Sequence, residues 1–214
     1  MLVSDWLSNN YIEVFGAVSG IIFVFLEIKQ SLWLWPVGII TSAVYIWVFF
    51  NGKLYADMSL QGYYLVISCL GWYWWVRRMK RRQGKSTFVK ATVDEGRDEE
   101  KNVLQVTRLT RRIGIILAIV FFVLYFCMWV ILSHFTDSPV PHWDSFITSL
   151  SIVATWMLAR KIYEHWLLWI VVNTTAIVLF MTRGLYPTLI LYTVYGIMSF
   201  AGLVEWKKTI RNKQ

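Results

Sequence analysis

Charged residues are scarce in this chain. Of its 214 residues only 16% are Asp, Glu, Lys or Arg, whereas 57% are hydrophobic and 17% are aromatic. A soluble globular protein has about 25% charged and roughly 45–50% apolar residues. The shortage of charge therefore excludes an ordinary soluble domain and indicates a protein that has lipid as its solvent.

Cysteine and the usual catalytic signatures are scarce as well. The two cysteines, Cys69 and Cys127, both fall within apolar stretches, which argues against a disulfide framework or a metal site. The chain has no Gly-x-x-x-x-Gly-Lys-Ser/Thr phosphate loop, no His-Glu-x-x-His and no Gly-x-Ser-x-Gly. These absences argue against an ATP-driven pump and an enzyme, and we expect neither catalytic residues nor a cofactor.

Long apolar stretches are abundant, and seven of them are typical of membrane-spanning helices. They cover residues 11–28, 32–50, 55–76, 113–133, 144–159, 165–182 and 186–206. Backbone amides in hydrocarbon have no water partner, so each span must be a helix that bonds within itself. The predicted fold class is an all-α integral membrane protein of seven transmembrane helices.

The basic residues predict the orientation of these helices. With the N-terminus outside and the C-terminus in the cytoplasm, nineteen of the 21 basic residues lie inside, and only Lys53 and Arg183 lie outside. The loop 77–112 is the most basic segment, and we interpret it as a cytoplasmic loop that contacts anionic lipid rather than nucleic acid. Within it, residues 80–107 mix both signs of charge and predict a solvated, mobile linker.

An internal repeat is visible when the second span is laid on the sixth. With Trp35 on Trp169, identities recur every three or four residues, which is the spacing of one helix face. After three residues are dropped from the external turn, the match continues through the third and seventh spans, where Gly71 meets Gly202.

The repeat predicts a 3+1+3 architecture within a single transmembrane domain, 1–214. The first three-helix unit covers residues 11–76 and the second covers 144–206, and the linker helix 113–133 follows the cytoplasmic loop. One linker helix restores the starting side, so both units have the same orientation about an axis along the membrane normal. A substrate site is then expected between the units, near the midplane.

Polar and aromatic residues inside the spans are the candidate substrate-binding residues, because each polar group in hydrocarbon costs free energy. On the sixth and third spans they follow one helix face, and the repeat adds their counterparts on the second and seventh. The candidates are Trp166, Trp169 and Asn173 on the sixth span, Asp57, Gln61 and Tyr64 on the third, Tyr192 and Tyr195 on the seventh, Trp35 on the second and Trp156 on the fifth.

Such a cavity suits a flat, cationic, hydroxyl-bearing small molecule. Each aromatic face attracts a desolvated cation by about 0.5–2 kcal/mol, and amides offer both donors and acceptors. Structural roles remain open for some of these groups: Asp57 can cap its helix, and Glu27 can pair with Lys29 at the inner boundary. Asn173 and Gln61 lie deepest in their spans and are the strongest candidates.

Several motifs resemble the PnuC family of vitamin transporters. The resemblance covers nearly the whole chain except residues 80–107, and Trp166-x-x-Trp169 followed by Asn173 matches the substrate-site pattern of the family. The motifs are Leu34-Trp-Pro-Val-Gly-Ile-Ile, Leu54-Tyr-Ala-Asp-Met-Ser-Leu-Gln61, Gly71-Trp-Tyr-Trp, Ala154-Thr-Trp-Met-Leu-Ala-Arg-Lys161 and Glu164-His-Trp-Leu-Leu-Trp-Ile-Val-Val-Asn173.

The resemblance implies facilitated diffusion of nicotinamide riboside across the inner (cytoplasmic) membrane, with a cytoplasmic kinase that traps the vitamin for NAD synthesis. It also implies a fold similar to that of SWEET sugar transporters and a trimeric assembly. Thiamine and riboflavin stay open as substrates, because the motifs define the whole family. The rival class is a membrane sensor without transport, against which the paired units and the short cytoplasmic loop argue.

Overall fold

Seven α-helices make up most of the described chain in the computed structural model. The structure describes residues 11–51, 55–90, 106–136, 139–184 and 186–211. Within these residues the all-α fold class is confirmed. The helices are α1 (Tyr11–Ile28), α2 (Leu34–Asn51), α3 (Tyr55–Lys90), α4 (Arg111–Phe135), α5 (Pro141–Ala159), α6 (His165–Thr182) and α7 (Tyr186–Arg211).

The predicted spans agree with these helices at most of their ends. α5 begins earlier than expected, at Pro141, because a proline in the first helical turn forfeits no intrahelical hydrogen bond. α3 is longer than expected and continues through the basic run 77–82 to Lys90. The first part of the predicted linker 80–107 is therefore helical, and residues 91–105 lie outside the described residues.

Several of the helices match the dimensions of a bilayer. The helical segments Arg111–Phe135, His165–Thr182 and Thr188–Arg211 are long and apolar enough to cross one, and Val14–Ile28 and Leu34–Val48 are shorter apolar helices. α1 and α2 have 18 residues each. At 1.5 Å per residue such helices reach about 27 Å, close to the roughly 30 Å of a hydrocarbon core.

Six helices close into a ring, and α4 stands outside it. Packed neighbours follow the order α1, α2, α3, α5, α6 and α7, and α7 returns to α1. Within the described chain α4 packs against α5 and no other helix, and none of its residues is buried. The interior of the ring is therefore bounded by every helix except α4.

The turns after α1 and α5 have the same backbone geometry. Each contains a left-handed residue, Gln30 with φ 52° and Lys161 with φ 57°. The next amide, of Ser31 in one turn and Ile162 in the other, bonds the carbonyl five residues earlier at 2.9 and 3.0 Å. This is the Schellman cap, which usually has glycine at its left-handed position.

Side chains explain why neither cap has glycine. Lys161 is fully buried, and its Nζ donates to Gln30 Oε1 at 3.3 Å, so the two left-handed residues contact each other. The same Nζ lies 4.0 Å from the centre of the Trp75 ring. Gln30 Nε2 in turn donates to Thr209 Oγ1 on α7 at 3.2 Å. These contacts of Lys161 and Gln30 join both turns to α3 and α7.

Equivalent features of the two three-helix units lie at a constant separation. The left-handed residues differ by 131 in residue number, as do the first residues of α2 and α6 and those of α3 and α7. This separation pairs Trp35 with Trp166. The alignment of Trp35 with Trp169, and the three-residue deletion that it needs, are therefore wrong.

A cluster of two tryptophans and a glycine joins α2 to α3. In this α2–α3 tryptophan cluster the fully buried rings of Trp35 and Trp75 meet edge to face, with centroids 5.3 Å apart. A Cβ added at Gly71 would overlap the Trp35 ring, so only glycine allows this approach. Trp75 Nε1 donates to the carbonyl of Ala159 on α5 at 3.1 Å.

The α6–α7 tryptophan cluster repeats this arrangement. Trp166 and Trp206 are fully buried and meet edge to face at 5.8 Å, and a Cβ at Gly202 would overlap the Trp166 ring. Trp206 Nε1 donates to the carbonyl of Glu27 on α1 at 3.2 Å. Each cluster thus sends one hydrogen bond to the other three-helix unit.

The end of the predicted linker is anchored to the α5–α6 turn. The amide of Thr107 donates to the Lys161 carbonyl, and the amide of Tyr163 donates to the Thr107 carbonyl, both at 2.9 Å. Leu109 N donates to Glu164 Oε2 at 2.8 Å. Residues 106–109 are therefore held in place, contrary to the mobile linker that the charge pattern predicted.

Candidate functional site

A cavity of about 350 Å³ lies inside the ring of six helices. Ligand pockets in proteins measure roughly 300–1,000 Å³, so this cavity has room for one small molecule. Its wall combines aromatic rings, hydroxyl groups, the two amides of Gln61 and Asn173, and the carboxylate of Glu27. Every helix of the ring contributes to it, and α4 does not.

Seven of the ten predicted site residues line this cavity. They come from α3, α6 and α7, so the structure brings the stripes of three separate helices together around one space. These seven are Gln61, Tyr64, Trp166, Trp169, Asn173, Tyr192 and Tyr195.

The other three candidates lie elsewhere or outside the described side chains. Trp35 belongs to the α2–α3 tryptophan cluster and Trp156 packs below the Arg160 guanidinium, 5.3 Å from its ring centre; neither lines the cavity. On α5 the inward position belongs to Thr155, and the next residue of a helix points about 100° away. Asp57 lies on α3, and its side chain is outside the described residues.

Asn173 is held in a defined orientation between α6 and α7. It is 4% exposed, and its Nδ2 donates to Ser199 Oγ at 3.0 Å. Ser199 uses its one proton on the Tyr195 carbonyl at 2.8 Å, so the amide must donate to it and not accept. The amide oxygen of Asn173 is thereby left to accept a hydrogen bond from a ligand.

Two indole N–H groups in the cavity wall have no hydrogen-bond partner. Both Trp166 Nε1 and Trp169 Nε1 are buried and unpaired, and a third unpaired indole N–H, on Trp35, lies away from the cavity. A buried donor without a partner costs about 1–3 kcal/mol. Because Trp166 and Trp169 line the cavity, an acceptor oxygen of a bound molecule that reached either nitrogen would remove that cost.

A buried carboxyl–imidazole pair lies where α1 meets the start of α6. Glu27 Oε1 is 2.9 Å from His165 Nε2, and the two side chains are 2% and 0% exposed. The second ring nitrogen, Nδ1, lies 2.6 Å from the carbonyl oxygen of Ile162. A carbonyl oxygen can only accept, so Nδ1 carries a proton and Nε2 is the atom that faces the carboxyl group.

The pairing of Glu27 with Lys29 that the sequence left open is wrong. Lys29 Nζ instead lies 5.9 Å from the centre of the Phe25 ring. The sequence reasoning missed His165 because it follows Glu164 at the edge of a span, where charged groups usually only set topology. In the structure its imidazole lies beside two tryptophans of the α6–α7 cluster, a contact that the sequence does not show.

Tyrosine hydroxyl groups lie against glycines of α1. A Cβ added at Gly20 would overlap the Tyr195 hydroxyl, and one at Gly16 would overlap the Tyr45 hydroxyl. Both tyrosines line the cavity. The two glycines therefore let tyrosine hydroxyls of the neighbouring helices α7 and α2 approach α1 closely.

Small residues form much of the wall, and the sequence reasoning missed them. Several hydroxyls bond carbonyls of their own helix, as Thr155 does with Ser151 at 2.8 Å, so in sequence they look like ordinary helix residues. The missed small residues are Ser19, Gly20, Gly38, Thr41, Ser42, Ser68, Ser151, Thr155 and Ser199.

A family model described as "Nicotinamide mononucleotide transporter" matches residues 10–208 of the chain. The nicotinamide riboside transporter PnuC of Escherichia coli (strain K12) is 24% identical over 210 residues, which are 95% of this chain and 88% of that protein. The riboflavin/roseoflavin transporter RibM of Streptomyces davaonensis is 25% identical over 212 residues, covering 94% of this chain and 92% of RibM.

A solved structure has the same fold. The crystal structure of the vitamin B3 transporter PnuC superposes with a TM-score of 0.72 at 24% identity, over 99% of this chain and 87% of that one. At this identity the likeness shows the fold, which agrees with the arrangement of helices described above.

Proposed function

Because this chain belongs to the nicotinamide mononucleotide transporter family, we propose that it carries nicotinamide riboside into the cell by facilitated diffusion. It is a member of a transporter family and we assign it no enzymatic activity. Relatives named for nicotinamide riboside, one of them in Escherichia coli, support this substrate. A cytoplasmic kinase would then trap the vitamin by phosphorylation and supply NAD synthesis.

The charge of the cavity wall is the observation that favours this substrate. Among the residues that the structure describes, the lining includes one carboxylate, Glu27, and no lysine or arginine. A phosphate group brings about −1.5 to −2 charges and needs cationic partners when it leaves water. The cavity therefore favours the riboside, which has a cationic ring and no phosphate, over the mononucleotide in the name of the family model.

The polar groups of the wall suit the rest of this molecule. The unpaired N–H groups of Trp166 and Trp169 can donate to carboxamide or ribose oxygens, and the Asn173 oxygen can accept from a hydroxyl or an amide. Gln61 and the tyrosines Tyr64, Tyr192 and Tyr195 add further donors and aromatic surface. We propose these seven lining residues as the substrate site.

We propose that the architecture is a 3+1+3 parallel repeat similar to that of SWEET transporters, in one domain over 1–214. The constant separation of 131 residues, the two Schellman caps and the two tryptophan clusters support equivalent units α1–α3 and α5–α7. α4, outside the ring, then acts as the linker helix. Rocking of one unit against the other would expose the cavity to each side in turn.

We propose a multi-pass protein of the inner (cytoplasmic) membrane with its N-terminus outside and its C-terminus in the cytoplasm, on the distribution of the basic residues. A reporter that is active only in the cytoplasm is expected to be active after Gln214 or at Thr92. Activity at Ser138 would contradict this topology. The apolar surface of α4 faces lipid or another copy, and light scattering of the detergent-solubilised protein tests for a trimer.

Uptake into proteoliposomes tests the proposed function. We expect labelled nicotinamide riboside to equilibrate across vesicles that contain only this protein, without ATP, and to stop at equal concentrations. The mononucleotide is expected not to enter. Accumulation above the outside concentration under a proton or sodium gradient would instead show that transport is coupled. Protein-free vesicles are the control.

Riboflavin is the second candidate substrate, because RibM matches this chain over 92% of its own length. Thiamine is the third, since it is also a flat monocation. A thermal-shift comparison of the three vitamins on the purified protein separates them. The vitamin that raises the melting temperature most at equal concentration is the one that binds best.

A further inference from the structure

We propose that Glu27 is a substrate-binding residue whose carboxylate recognises the positive charge of the ligand. The proposal rests on the proposed function and adds to it a residue that selects organic monocations over neutral molecules of the same shape. It depends on the protonation of the Glu27–His165 pair, on the position of Glu27 in the wall and on the other charges nearby.

Glu27 Oε1 and His165 Nε2 share one proton across their hydrogen bond. Nδ1 already donates to the Ile162 carbonyl, so a proton on Nε2 makes the ring an imidazolium. The rings of Trp166 and Trp206 both lie with centroids 4.7 Å from the imidazole, and aromatic faces attract cations. A cationic ligand in the cavity favours the form in which this proton lies on Nε2 and Glu27 bears the negative charge, and so does the N-terminus of α6.

The carboxylate of Glu27 is placed to act on a ligand. Glu27 lines the cavity on the same face of α1 as Gly20, Phe23 and Val24, and it is the only carboxylate among the described lining residues. One of its oxygens accepts from His165, which fixes the side chain. At the equivalent position of the other unit, 131 residues later, stands the apolar Leu158. The described part of the cavity wall therefore has one acidic site.

The basic residues nearby are engaged outside the cavity. Lys161 contacts Trp75 and Gln30, and Arg160 lies 4.4 Å from the centre of the Trp74 ring. Since neither side chain lines the cavity, neither opposes a ligand cation there directly. In a desolvated site the carboxylate attracts a cation more strongly than a neutral molecule, and the imidazolium of His165, 2.9 Å from Oε1, offsets part of that attraction.

Binding of two forms of one ligand tests the proposal. Nicotinamide riboside has a cationic ring, and its 1,4-dihydro form is neutral but retains the carboxamide and the ribose. We expect Glu27→Gln to weaken binding of the cationic form about ten- to a hundredfold and to change binding of the neutral form less than about twofold. Gln retains an oxygen that can accept from His165, so the fold is expected to persist.

The matched control is Glu205→Gln, which removes an exposed carboxylate that pairs with Lys208 on the surface of α7. It is expected to leave both affinities unchanged. Equal losses for both ligands in Glu27→Gln, or no loss, overturn the proposal. If that variant does not fold, the wild-type protein supplies the test. Equal affinity of the wild type for the cationic and the neutral form also overturns the proposal. Binding of neither form rejects the proposed function itself.

Discussion

The two tryptophan clusters share one geometry, but only one of them borders the cavity. In each, a glycine on one helix admits the ring of a tryptophan on its neighbour, and the second tryptophan bonds a carbonyl of the opposite unit. Trp166 of the α6–α7 cluster lines the cavity, whereas Trp35 of the α2–α3 cluster does not. The packing occurs twice, and the contact with the cavity occurs once.

The difference extends along the helices that bear these tryptophans. Both helices present small or polar groups to the cavity, but those on α6 are larger and have more hydrogen-bonding capacity. At equivalent positions α2 has Leu34, Gly38 and Ser42 where α6 has His165, Trp169 and Asn173. The tryptophan scaffold thus occurs on both sides, whereas the larger hydrogen-bonding side chains at these positions occur on α6.

Substitution of the cluster glycines tests whether the two clusters contribute equally to the stability of the protein. Gly71→Ala and Gly202→Ala each force a methyl group into a buried indole ring, and we expect each to lower the stability by about 3 kcal/mol, at the upper end of overpacking costs. Thermal unfolding of the purified variants measures this. Only Gly202→Ala is expected also to weaken ligand binding, because it displaces Trp166.

The matched control for this pair is Gly62→Ala, since a Cβ there meets no atom within 4 Å. It is expected to leave the melting temperature unchanged or slightly raised, because alanine is the better helix former. A loss of binding in Gly71→Ala equal to that in Gly202→Ala would mean that the clusters do not differ in function.

Removal of the polar group at equivalent positions sharpens the comparison of α6 with α2. Asn173→Ala deletes the acceptor proposed for the ligand and also the partner of Ser199, and we expect roughly a five- to 150-fold loss of affinity. Ser42→Ala on α2 is expected to cost about threefold or less. Affinity is measured on monodisperse protein in detergent. Wild-type affinity in Asn173→Ala would remove this residue from the site.

Substitutions of Trp169, whose counterpart on α2 is Gly38, allow a graded test of its role in binding. Trp169→Ala loses ring area and cation attraction together, whereas Trp169→Phe retains part of both but loses the indole N–H. We expect the order wild type, Phe, Ala in affinity, with each step about three- to tenfold. If the ring only packs helix on helix, both variants will instead give a lower yield of folded protein with unchanged affinity.

The smallest expected effect concerns the hydrogen bonds that cross between the units. Trp75→Phe and Trp206→Phe each remove one indole donor to a backbone carbonyl, at about 0.5–1.5 kcal/mol of stability. The two losses are expected to be alike and to add in the double variant, since the sites are separate. Unequal losses in thermal unfolding would show that the clusters differ in their scaffolding role too.

The spans were predictable because hydrophobic length is read directly from the sequence, and α1 and α6 agree at both ends. The register between the units was not predictable in this way. Trp169 resembles Trp35 in identity, but contacts decide equivalence, and the counterpart of Trp35 is Trp166. Alignment by side-chain type therefore shifted the register of α2 against α6 by almost one helical turn.

The site was predictable in its large residues and not in its small ones. Asn173 and Gln61 stand out because an amide in an apolar span is costly. Ser42 and Gly38 give no such signal, since a serine can bond within its helix and a glycine offers no group at all. The Glu27–His165 pair joins residues 138 positions apart, and no periodicity along one helix can reveal such a contact.

The hydrogen bonds that cross between the units also impose an order on biosynthesis. Trp75 leaves the ribosome 84 residues ahead of Ala159, so its acceptor does not exist when α3 enters the membrane. For Trp206 the order is reversed, because its acceptor, the carbonyl of Glu27, was made 179 residues earlier. Since α7 is also the helix that closes onto α1, the ring of six helices stays open until α7 is inserted, and the cavity takes shape only then.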